Sequence, residues 1–252
     1  LPEQVGWTFK YPDPEDLNDS IIQNIKNCIL DFENALMDDG DISQYIDVQN
    51  WAAWLLAQDI LGQSDAGGTN RYLYKEDYIP SCPNATLLKM GPLWDFDGTF
   101  EISDAWSNIH RVEYSFYFKR LLQRDDFWAS YVELWNDVKA DLHENVIEYL
   151  GSVFNDIQQD VDKSRILNKE LHPDDDRYTP VNDEIAFVSS WLNSRIDWIE
   201  EQLRKETAIE DVEDNDTNSK KVYNVYGQMM PLDMKLPKGI YIIDGKKVLI
   251  KE

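Results

Sequence analysis

Apolar residues recur at helical spacing along most of the chain. Ile21, Ile25, Cys28, Ile29, Phe32 and Leu36 lie three or four apart and predict a helix over residues 13–38. Asp13-Pro14 suits its start, with Pro at the first helical position, and Asp38-Asp39-Gly40 suits its end. Trp51, Trp54, Leu55 and Ile60 predict a second helix, from about Val48 to Leu61, stopped by Gly62. A polar loop, Gln63-Ser64-Asp65-Ala66-Gly67-Gly68-Thr69-Asn70, follows. Residues 71–74 and 87–94 read as strands separated by a turn-rich stretch, and so as a hairpin with a long loop. Helical spacing returns over residues 114–123, 126–140, 143–162 and 181–205. It is clearest in the last of these, through Ile185, Val188, Trp191, Leu192, Arg195, Ile196, Trp198 and Ile199. Residues 206–221 are acidic and polar and read as a linker. Short strands are expected at 222–226, 239–243 and 247–250, with turns at Gly227 and Asp244-Gly245. The pattern gives an α+β chain, mainly α, with one embedded hairpin and a β tail too short to bury a core alone.

Composition narrows the classes. The chain has 252 residues, room for one large domain and a small appendage. Nine Trp, thirteen Tyr and nine Phe supply large surfaces for a core. The formal net charge of −24 excludes a basic nucleic-acid footprint and disfavours an anionic membrane surface. No apolar run is long enough to span a bilayer. The chain starts at Leu1 without a Met or a leader, so a processed or trimmed N-terminus is expected. Cys28 and Cys82 do not have metal-site spacing and are either free thiols or a disulfide. His110, His143 and His172 are scattered and form no zinc-binding pair. The run Asp174-Asp175-Asp176 lacks the spaced ligands of an EF-hand and reads as a solvated loop.

The chemistry concentrates in two acidic loops. Asp65 and Asn70 follow the second helix, and Asp95-Phe96-Asp97-Gly98 follows the hairpin. Carboxylates and an amide oxygen are hard ligands suited to Mg²⁺ beside phosphates. In phosphoryl transfer one Asp orients or deprotonates the acceptor hydroxyl, while an Asn and a second Asp hold the metal ions. The run Asp65-Ala-Gly-Gly-Thr-Asn70 has the D-x-x-x-x-N spacing of a kinase catalytic loop, and Asp95-Phe96-Asp97-Gly98 echoes D-F-G with one residue inserted. Asp65 also fits a loop cap, and Asp97 before Gly98 fits a turn.

Two stretches carry a family resemblance. Trp54-Leu-Leu-Ala-Gln-Asp-Ile-Leu-Gly-Gln-Ser-Asp65-Ala-Gly-Gly-Thr-Asn70-Arg-Tyr-Leu-Tyr-Lys75 and Leu88-Lys-Met-Gly-Pro-Leu-Trp94-Asp95-Phe-Asp97-Gly-Thr-Phe100 resemble the CotH kinase family. The segment 184–202, through Trp191, Arg195 and Trp198, is similar to that family's closing helix. The resemblance covers roughly residues 40–205. It implies a protein-kinase-like C-lobe and phosphorylation of Ser or Thr on secreted or surface proteins, with ATP and Mg²⁺ or Mn²⁺. It implies Asp65 as the catalytic base and Asn70, Asp95 and Asp97 as metal ligands. Lys75 and Lys89 flank the hairpin and are either phosphate contacts or solvated strand ends. Trp94, Phe96 and the Trp residues at 51, 54, 191 and 198 are expected to pack.

Residues 1–40 show neither a glycine-rich loop nor a strand Lys, so the expectation is a kinase C-lobe over 1–205 taken from a longer parent, inactive by itself. The linker at 206–221 and the β tail at 222–252 follow, the tail being either a sorting element that points to export or an accessory to the main domain. The expected partners are a protein substrate and ATP. The rival reading is a surface binding or structural protein on a kinase-like scaffold without catalysis. A glycoside hydrolase is weaker still, since no motif selects one carboxylate pair.

Overall fold

A computed structural model of the chain describes residues 6–63, 65–66, 70–76, 82, 85–100, 109–110, 116–174, 180–207, 222–224, 230, 236, 239–243 and 246–250. It divides into two units, residues 1–199 and 200–252. The first is mainly helical and contains a two-stranded antiparallel sheet, as the periodicity predicts.

Helix α1 spans Asp19–Met37, shorter than expected. Pro14–Asp16 form a separate 3-10 turn, because Leu17 is extended and Asp13 makes no side-chain cap. Asn18 is the true cap, its side chain accepting from the Ile21 amide. Helix α2 spans Val48–Leu61, as read from the sequence. Asp47 caps it by accepting from Asn50 N–H at 3.0 Å. At its end Gly62 takes a left-handed φ of 61°. Gly62 N–H reaches the Asp59 carbonyl at 3.2 Å, and Gln63 N–H reaches the Gln58 carbonyl at 3.0 Å. This paired closure stops the helix sharply.

Buried residues cover every face of α2, as a helix at the centre of a core requires. Phe32 of α1 meets Trp51 of α2 at 5.2 Å between ring centroids. Helix α3, Phe116–Leu121, adds Phe118, stacked on Trp54 at 5.4 Å. Helix α4, Asp125–Asp141, adds Phe127, Tyr131 and Trp135. A π-helical stretch, Leu142–Val146, joins it to α5, Ile147–Leu171. Helix α6 is Val181–Thr207. Trp51, Trp54 and Trp191 are buried, as expected of core residues, and Trp198 is partly buried.

The hairpin strands are shorter than the apolar runs: β1 is Leu73–Tyr74 and β2 is Lys89–Met90, with Leu73 opposite Met90. Strand β2 is fastened to the start of α2. Trp51 Nε1 donates to the Leu88 carbonyl at 3.1 Å, Asp47 N–H to the same carbonyl at 3.0 Å, and Met90 N–H to Asn50 Oδ1 at 2.7 Å. Cys28 is buried, Cys82 is exposed, and both are free thiols. Within the second unit, β3 (Val222–Asn224), β4 (Gly239–Ile243) and β5 (Lys246–Ile250) form an antiparallel sheet. Its own small cluster holds Val222, Tyr241, Ile243 and Val248. Most of the expected linker and both expected tail turns lie outside the described residues. Among the described residues no helix is long and apolar enough to cross a membrane.

Two glycines test this account of α2. A Cβ at Gly62 would lie 2.8 Å from the Trp191 ring at a φ of 61°, whereas a Cβ at Gly151, inside α5, meets nothing within 4 Å. Gly62→Ala is therefore expected to destabilise by at least about 1–2 kcal/mol from the left-handed backbone alone. Gly151→Ala is expected to stabilise by about 0.5–1 kcal/mol. Urea unfolding of the two variants checks the opposite signs.

Candidate active site

The two acidic loops leave opposite sides of one anchor. Gln63, the second residue after α2, is buried at 1% exposure although it is polar. Its Oε1 accepts from the Asp65 amide at 3.1 Å, and its Nε2 donates to the Asp95 carbonyl at 2.5 Å. One side chain thus holds the backbone of both loops. Phe100 N–H reaches the Leu61 carbonyl at 3.4 Å, a second link between the end of α2 and the Asp95 loop.

Asp65 is exposed and its carboxylate is already organised: Asn70 Nδ2 donates to Asp65 Oδ2 at 3.0 Å. The structure therefore brings together the first and last residues of the D-x-x-x-x-N motif. Residues 64 and 67–69 lie outside the described set. Asp95 sits at a φ of 59°, a left-handed conformation for a residue with a side chain, and starts a 3-10 turn over Phe96–Gly98. Thr99 closes that turn, its hydroxyl donating to the Phe96 carbonyl at 2.7 Å. Asp95 and Asp97 are both exposed.

The two lysines are engaged inside the hairpin. Lys89 Nζ pairs with Glu76 Oε1 at 2.9 Å, which raises its pKa through that carboxylate. Lys75 Nζ donates to the Thr86 carbonyl, and burial lowers its pKa. Trp94 departs from the packing expectation. It is 54% exposed, with Leu93 beside it at 50%, because β2 ends at Met90 and residues 91–95 leave the sheet. Its ring meets Tyr72 edge-on at 6.1 Å.

Behind the loops lies a buried polar group that sequence reading missed. Asp59, on the last turn of α2, is buried; Tyr131 donates its hydroxyl to Asp59 Oδ2 at 2.9 Å, and His110 Nδ1 lies 2.8 Å from the same oxygen. Burial drives the Asp59 carboxyl above its ordinary range, opposed by His110, Tyr131 and the Arg195 charge. His110 and Asp59 are 51 residues apart, so no local spacing announces the pair.

The donor types of Asn70, Asp95 and Asp97 suit a hard divalent cation, and the Asp65–Asn70 contact orders the first of them. Among the described residues no group of three or more His, Cys, Asp or Glu side chains is arranged to hold a metal ion. The fit therefore rests on donor chemistry and on the paired loop.

With this geometry in place, the comparison with known families is decisive. The sequence model of the family described as CotH kinase protein matches residues 4–199. The chain belongs to that family. The CotH match covers all of α1 through most of α6, and with it both acidic loops and the hairpin. It begins well before residue 40, where the sequence resemblance starts. No curated protein and no solved structure matches the chain. Membership of the CotH family is kinase-like and points to nucleotide, metal and protein-substrate use in general terms.

The Gln63 bridge can be tested by substitution. Gln63→Ala removes both hydrogen bonds to the loop backbones. Gln63→Glu keeps an acceptor for Asp65 N–H but sets an oxygen against the Asp95 carbonyl. Each is expected to cost about 1–3 kcal/mol. Urea unfolding measures this, and wild-type stability in the glutamate variant would show that Nε2 does not hold the Asp95 loop.

Proposed function

We propose that the two loops form the metal- and phosphate-handling part of an atypical protein Ser/Thr kinase site that uses ATP with Mg²⁺ or Mn²⁺. The observation that carries this reading is the Asp65–Asn70 hydrogen bond, joined through Gln63 to the Asp95 loop. It gives the family's motif residues a shared physical frame, and family membership supplies the kinase-like class.

In this reading each side chain has a distinct task. Asn70 holds Asp65 Oδ2 in place, which leaves Asp65 Oδ1 to accept the proton of the substrate hydroxyl. Asp65 is exposed, so an acceptor side chain of a protein substrate can reach it. The Asn70 amide oxygen and the Asp95 and Asp97 carboxylates are the ligand atoms for the cation. When bound, that cation neutralises charge on the phosphate oxygens. Asp95 takes a left-handed backbone, its carbonyl is held by Gln63, and its side chain makes no cap to the turn that follows. Lys75 and Lys89 act here through the hairpin, tying β1 and β2 to their connection, and phosphate contact would require Lys89 to leave Glu76.

The substrate class we assign is the Ser or Thr hydroxyl of exported or surface-located proteins. The acidic surface, with its net charge of −24, fits neither a nucleic-acid substrate nor an anionic membrane. A catalytically inert binding protein on the same scaffold is the outcome that the following test would reveal.

Asp65→Asn in the full-length protein is expected to lower the rate of phosphate transfer from ATP by about 10²–10⁴-fold, the usual contribution of a positioned general base. Its thermal midpoint should match the wild type, since Asp65 is exposed. Transfer of radiolabelled γ-phosphate to a protein hydroxyl measures the first, and undiminished transfer would refute the assignment of Asp65.

A further inference from the structure

Arg195 lies in the apolar stripe of α6 and is fully buried, at 0% exposure. A charge in that setting is retained only when it is paired and hydrogen-bonded. Its Nε donates to the Asp59 carbonyl at 2.9 Å and its Nη2 to the Ile109 carbonyl at 3.2 Å. Its guanidinium lies 4.8 Å from the Trp198 ring. Its charge also acts on the Asp59 side chain, opposing the rise that burial imposes on that carboxyl.

The position of that Asp59 carbonyl gives the contact its meaning. It also accepts from Gly62 N–H at 3.2 Å, in the closure that ends α2. The next residue is Gln63, which holds both Asp65 and Asp95. Arg195 therefore grips the turn that aims Gln63. Trp191 lies four residues earlier and so on the same face of α6. It closes the space over Gly62 and meets the Phe100 ring edge-on at 5.2 Å. Phe100 in turn is bonded to the Leu61 carbonyl. One face of α6 thus backs the roots of both acidic loops.

We propose that Arg195 is a positioning residue that sets the approach of the Asp65 loop to the Asp95 loop from behind α2, touching neither carboxylate. The kinetic consequence rests on the kinase reading above; the positioning itself does not. The alternative is a purely structural role, in which Arg195 only neutralises Asp59.

Arg195→Lys separates the two. Lysine keeps the charge beside Asp59 and Trp198, but its single ammonium lacks the planar fork that reaches two carbonyls at once. If Arg195 positions the loops, amide hydrogen exchange in Arg195→Lys should speed about tenfold or more at residues 62–65 and 96–100, as local opening there becomes easier. The interior of α4 around Tyr131 and Trp135 should exchange as in the wild type. In the full-length protein kcat should fall by roughly ten- to a hundredfold, the scale of a small misplacement, with KM for ATP within about twofold. Wild-type exchange in both loops, or exchange that speeds equally in α4, would overturn the proposal. Should Arg195→Lys fail to fold, Trp191→Phe is read the same way, with faster exchange in the same two segments and an unchanged α4. The two readings fail separately: an active Asp65→Asn protein removes the kinase assignment, while an absent two-segment signature removes the positioning role.

Discussion

The buried amide of Gln63 is the contact on which the arrangement of the acidic loops depends. The loops are far apart in sequence, and each is short and rich in residues that favour turns. Gln63 links them with both ends of one side chain, taking the Asp65 amide on one side and the Asp95 carbonyl on the other. Because the group is buried, losing either bond leaves a polar atom without water to replace its partner. The constraint is thus steeper than that of a surface hydrogen bond.

Gln63 can act this way because α2 is itself fixed at both ends. At its start, Asp47, Asn50 and Trp51 bind the backbone of Leu88 and Met90. At its end, Leu61 and Gln63 bind Phe100 and Asp95. The segment that carries the second acidic motif is therefore tied to both ends of the helix that delivers the first. A 14-residue helix is about 21 Å long, and it acts as a ruler for the chain between β2 and Phe100. The aromatic packing of Phe32, Trp51, Trp54 and Phe118 holds that ruler in the core. Arg195 and Trp191 complete the support from α6.

Much of this was legible in the residues. The boundaries of α2 followed from apolar spacing and from Gly62, and α4 and α6 from their aromatic stripes. The D-x-x-x-x-N spacing singled out Asp65 and Asn70, which the structure joins by a hydrogen bond that the spacing did not announce. Other features were hidden for physical reasons. Gln63 looks like any loop residue, because burial of a polar side chain after a helix stop depends on what packs over it. The Asp59–His110–Tyr131 group and the Arg195 contacts join residues separated by 51 to 136 positions, and period counting sees only neighbours. The start of α1 was misplaced because Asn18 outcompetes the Asp13-Pro14 signal as a cap. Trp94 was expected to pack, yet the strand that would have carried it inward ends four residues earlier.

Membership of the CotH family, the paired Asp65–Asn70 loop and the second acidic turn support the proposal of one site for a cation and a nucleotide. Its most direct test is ligand-dependent stability. Thermal unfolding of the full-length protein should be followed while ATP is titrated with and without Mg²⁺ or Mn²⁺. A ligand that binds only the folded state raises stability by mass action, by about 2.7 kcal/mol at a hundred times its dissociation constant. The account predicts a rise that needs ATP and the cation together and that Asp95→Ala abolishes. An unfolding midpoint that does not respond to ATP and cation together would contradict it.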